Sequence, residues 1–74
     1  MKSIGKNQIF DFMKKHKEKR FTKKSLTEEL AKEMGNEFSV RFRVVDKWLE
    51  VLLVSGLIKS EYVGKIKLFW YEGE

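Results

Sequence analysis

The chain has 74 residues with 16 Lys and Arg against 11 Asp and Glu, a formal charge of +5, no cysteine, no proline and one histidine. This length allows one small domain over residues 1–74, and the missing cysteines exclude a disulfide framework, a Cys/His zinc cage and a thiol nucleophile, leaving neither metal nor cofactor to expect. No apolar run nears the roughly 18 residues of a membrane span and MKSIGKNQIF has no secretory leader pattern, so a cytoplasmic protein without a membrane partner is expected, with a thermophile-like Lys and Glu content.

Between Ser3 and Lys19, residues Ile9, Phe12, Met13 and His16 fall at i, i+3, i+4 and i+7, the spacing that gathers side chains on one helical face. The lone His16 on that stripe reads as a packed residue rather than a ligand. From Thr22 onward Leu26, Leu30 and Met34 recur every fourth residue, and Gly35 follows as a helix-ending residue, which predicts a second helix. Thr22, Ser25 and Thr27 each offer a cap, and Ser25 with Glu28 has the capping-box spacing. Gly35-Asn36-Glu37 is a short turn, so the flanking helices form a helix-turn-helix candidate.

The third predicted helix, capped by Ser39 and running to Ser55, is apolar round most of its circumference. At 100° per residue Ser39, Arg43, Asp46, Lys47 and Glu50 fall on one polar strip, its expected exposed face. After Gly56 the period changes, and two short runs around Val63-Gly64 read as a β-hairpin. On its second strand Ile66, Leu68 and Trp70 share the side assigned to the core, while Lys65, Lys67, Phe69 and Tyr71 share the other.

The charge is uneven along the chain. Residues 1–24 carry nine Lys or Arg against two acids, residues 25–50 four against six, and residues 51–74 three against three. The dense run from Lys14 to Lys24 suits a polyanionic partner, and equally a solvated helix end whose cations complement the helix dipole.

Helix, helix, turn, helix, hairpin is the order of a winged helix-turn-helix domain, an α+β fold with a three-helix core and a C-terminal hairpin wing. Leu30-Ala31-Lys32-Glu33-Met34-Gly35 resembles that superfamily's second helix and turn, and Leu49, Leu52, Gly56, Leu57 and Ile58 look like the end of its third helix running into the wing. The resemblance implies DNA binding, with a small transcriptional regulator as the expected function and duplex DNA as the favoured partner. It implies that the third helix enters the major groove, with Ser39, Arg41, Arg43 and Lys47 as contacts. Thr22, Lys23, Lys24 and Ser25 at the start of the second helix would face phosphate, and Lys65 and Lys67 of the wing the flanking groove or backbone. Asp46 and Glu50 share the strip with Arg43 and Lys47, so the reading face is nearly neutral, unlike that of a strong DNA reader.

Two alternatives stand beside this reading. Tyr62, Phe69 and Tyr71 near a basic hairpin would stack the bases of a single strand, unless they cover the core edge or a homodimer contact. Winged helices also serve as protein-interaction modules, because fold does not fix function. An enzyme is not expected: the chain has no phosphate-cradling glycine loop, no ligand-spaced His or carboxylate cluster, and no serine with a base beyond His16.

Overall fold

The computed structural model describes residues 1–73, and Glu74 at the end of the tail lies outside them. Their order is β1 (Lys2–Ser3), α1 (Lys6–Lys15), α2 (Lys23–Met34), β2 (Phe38–Ser39), α3 (Phe42–Val54), β3 (Lys59–Val63) and β4 (Ile66–Trp70). Both α1 and α2 pack against α3, and β4 meets α2, which makes the α+β winged-helix architecture. The helical stripes expected from the spacing meet in one core: Ile9, Phe12 and Met13 of α1, Leu26 and Leu30 of α2, and Val45, Leu49 and Leu52 of α3 are all buried. Each such side chain contributes about 1.5–3 kcal/mol on burial, the main source of stability for a chain without disulfides.

The first helix spans its apolar spacing from Ile9 to His16 but is shorter than the segment Ser3 to Lys19 expected to hold it. It opens at Gly5, whose N–H donates to Gln8 Oε1 at 3.0 Å, and it ends at His16. The next residues turn the chain so that Phe21 reaches the wing, where Phe21 and Phe69 exchange both backbone hydrogen bonds, at 2.8 and 2.7 Å. A second helix capped at Thr22 follows directly. Thr22 Oγ1 accepts from Ser25 N–H and Ser25 Oγ accepts from Thr22 N–H, each at 3.0 Å, so the reciprocal cap joins Thr22 to Ser25, not Ser25 to Glu28.

Ser39 does not cap α3. It lies in β2, which runs parallel to β1 with Lys2 opposite Phe38 and Ser3 opposite Ser39, and its carbonyl accepts from Ile4 N–H at 3.0 Å. Arg41 takes the N-cap position without a side-chain hydrogen bond, and α3 starts at Phe42. At the other end Gly56, at φ +77°, closes α3: its N–H donates to Leu53 O and Leu57 N–H donates to Leu52 O, each at 3.0 Å, the two bonds of a Schellman motif.

The wing pairs Lys59 with Trp70 through Val63 with Ile66. Gly64 at φ +65° is the first residue of its two-residue turn, where a type II′ hairpin needs glycine. The alternation along β4 is as expected, but its two faces are exchanged. Phe69 is fully buried, whereas Ile66 is 56% exposed and Leu68 and Trp70 are half-buried. The rung to Phe21 turns the Phe69 side inward, while Arg20 covers the other side by lying 3.8 Å from the centroid of Trp70.

Candidate nucleic-acid interface

The polar strip of α3 is outward-facing: Arg43, Lys47 and Glu50 are exposed and Asp46 is half-buried. Its two acids are engaged from neighbouring elements. Lys23, in the first turn of α2, pairs with Asp46, and Lys67 of the wing lies 3.9 Å from Glu50. Asp46 Oδ1 is buried and takes no neutral hydrogen-bond donor, so the Lys23 ammonium is what compensates it. In return the hydrogen bond from Asp46 raises the pKa of Lys23 above the ordinary lysine value, against the opposing pull of burial, and the Asp46 and Glu50 charges add to the rise.

This pairing redistributes the positive charge. Within the dense basic run Lys15 pairs with Glu33 at 3.4 Å, Lys19 with Glu29 at 2.9 Å and Arg20 with Glu61 at 2.8 Å. Arg41 at the N-cap of α3, Arg43 and Lys47 on α3, Lys24 on α2 and Lys65 at the hairpin turn are exposed, and no acid among the described residues lies within ion-pair distance of them. The Lys47 ammonium sits 4.6 Å from the Trp48 ring centroid. Charge that is dense in sequence at the end of α1 is therefore partly cancelled in space, although Lys14 and Lys17 stay unpaired there, and five further unpaired cations stand on α3 and its N-cap, at the start of α2 and at the wing tip.

Backbone donors face the same region. Helix geometry leaves the first N–H groups of α2 and α3 without intrahelical partners, and no side chain caps α3. At α2 the hydroxyl of Ser25 donates to Thr22 O at 3.3 Å, whereas Thr22 Oγ1 accepts from Ser25 N–H and donates to no group among the described residues. Thr22, Lys23, Lys24, Lys65 and Lys67 line one cleft with Phe42, Tyr62 and Ile66, of about 340 Å³. Ser39 lies apart from this cleft, its carbonyl committed to Ile4.

One of the three aromatic candidates for base stacking, Phe69, is corrected. Phe69 is part of the core with no exposed face, and Tyr71 is half-buried with its ring set edge-on to Phe10 at 5.5 Å between centroids. Tyr62 is 66% exposed. Phe42, 49% exposed, belongs with it and was not singled out from the sequence. The helical wheel carried the signal, since Phe42 lies three residues after Ser39 and four before Asp46, at the margin of the polar strip. Among the described residues no three His, Asp or Glu side chains gather as metal ligands, and no helix is long and apolar enough to cross a membrane.

No protein-family model matches the chain, and no curated protein matches it in sequence. Among solved structures, one of HOP2 superposes with a TM-score of 0.76 at 22% sequence identity, covering 90% of this chain and 97% of that chain. It is described as giving insight into the DNA recognition and protein interaction domains of HOP2 and its homologous DNA pairing properties. At this identity the likeness establishes the winged-helix fold.

Proposed function

We propose that the chain binds duplex DNA, setting α3 in the major groove with the start of α2 and the wing on the flanking phosphates. The observation that carries this reading is the set of five exposed, unpaired cations at Lys24, Arg41, Arg43, Lys47 and Lys65, around a helix whose own acids are held by Lys23 and Lys67. A helix about 10–12 Å across fits a major groove about 12 Å wide. Near-neutrality of the α3 strip, read from sequence as a weakness, is lifted because Asp46 and Glu50 are answered from other elements. HOP2, the solved neighbour, is described in terms of DNA recognition, which supports the same use of the fold here.

Fluorescence anisotropy of a short duplex across a salt series tests the proposal. With roughly five phosphate contacts, log K should fall against log salt with a slope of about −4 to −5. A response that stays flat from low to moderate salt removes the reading and leaves a protein-interaction module in its place. Transcriptional regulation is one use of such a surface, and DNA pairing, the property described for HOP2, is another. A small regulator of the usual kind would act as a dimer on paired half-sites, so the stoichiometry of the complex separates the two.

A further inference from the structure

Three of the side chains lining the cleft between α2, α3 and the wing are apolar or aromatic and do not serve the core. Phe42 is 49% exposed, Tyr62 66% and Ile66 56%, yet each sits among the lysines Lys23, Lys24, Lys65 and Lys67. Apolar surface of this kind is normally covered, and four ammonium groups around it select a polyanion rather than an apolar protein face. Among the described residues no acidic side chain lines the cleft itself. Tyr62 stands opposite Lys67 in the hairpin register, with the Lys67 ammonium 5.6 Å from its ring centroid, so one side of the ring is already cationic. The exposed remainder is open for a flat π-system.

Fully paired duplex DNA offers phosphates to such a cleft but keeps its bases stacked inside the helix. An unpaired nucleotide offers both a phosphate for the rim and a base face for the ring. Resting on the duplex-binding reading above, we infer that this cleft holds an unpaired nucleotide where a duplex ends or a base is extruded, with Tyr62 and Phe42 contacting the base and Lys24 and Lys65 its phosphates. Lys23 and Lys67 are paired with Asp46 and Glu50, which leaves Lys24 and Lys65 as the lysines of the cleft without an acidic partner among the described residues. The protein would thus prefer a junction or an overhang to a blunt duplex.

The test compares a blunt duplex with the same duplex carrying a one-nucleotide 2-aminopurine overhang, using the full chain. Base–aromatic stacking predicts about tenfold tighter binding of the overhang, with quenching of the 2-aminopurine emission. Tyr62→Ala should bring the affinity ratio to about one, Tyr62→Phe should retain it, and Phe42→Ala should reduce it; circular dichroism confirms that each variant is folded. Equal affinity for the two probes with no quenching overturns this inference while leaving duplex binding intact. If neither probe binds, both readings fall. A concentration-dependent doubling of mass that disappears in Tyr62→Ala would also overturn it, by assigning the patch to a second copy of the chain.

Discussion

Asp46 lies half-buried on the strip that α3 turns outward, and its partner is Lys23, which the proposed docking would otherwise set against phosphate. Changing Asp46→Asn keeps the shape, removes the charge and releases Lys23. Duplex affinity at low salt should rise severalfold and the salt slope should steepen by about 0.9, the increment for one added phosphate contact. An unchanged slope in the anisotropy titration would show that Lys23 makes the same contact in both proteins. Phe69 shows the opposite dependence, on stability rather than binding. It is fully buried and bonded through its backbone to Phe21, so Phe69→Ala should cost about 3–5 kcal/mol. A domain of 74 residues has on the order of 4–11 kcal/mol in total, so a urea titration should find the variant near the edge of unfolding at 25 °C.

At the scale of elements, the end of α3 depends on one backbone conformation. A Cβ at Gly56 would meet nothing within 4 Å, but φ +77° is unfavourable for any side chain. Gly56→Ala should therefore lower stability by about 1–2 kcal/mol through the backbone alone, seen as a lower urea midpoint with an unchanged m-value. The element order was readable from the sequence because each helix repeats its apolar residues at helical spacing and the hairpin alternates around Gly64. Which hairpin face is core was not readable. Alternation defines two faces, and the choice between them is made by Phe21, a residue distant in sequence that bonds to Phe69. The strands β1 and β2 were equally invisible, because two residues have no period. Their pairing is also what draws Ser39 away from the cap that its residue type suggests. In the interface the types and spacing of Arg41, Arg43 and Lys47 could be read directly, while the partners of Asp46 and Glu50 arise only from tertiary packing.

For the molecule as a whole, net charge is a weaker guide than which charges are free. The segment with the largest excess of Lys and Arg gives up Lys15, Lys19 and Arg20 to Glu33, Glu29 and Glu61. Exposed pairs of this kind are worth about 0–1 kcal/mol each, so their main effect is on the field and not on the fold. Replacing Lys15 and Lys19 together with Ala should change duplex affinity by less than about threefold at moderate salt, since those charges are already answered and lie outside the contact set. Reversing Arg43 and Lys47 to Glu should instead reduce the magnitude of the salt slope by about 2 and weaken binding across all duplex sequences. Equal losses from the two double variants would point to a diffuse basic surface without a docking face.

The short parallel pairing of β1 with β2 ties the start of the chain to the turn that leads into α3. Ile4 is 1% exposed and its amide is held by Ser39 O, so freeing that turn requires withdrawing Ile4 from the core. Amide hydrogen exchange at Ile4 is thus a gauge for the helix that lies ahead of it: the protection measured there reports the free energy of the local opening that would release the turn into α3.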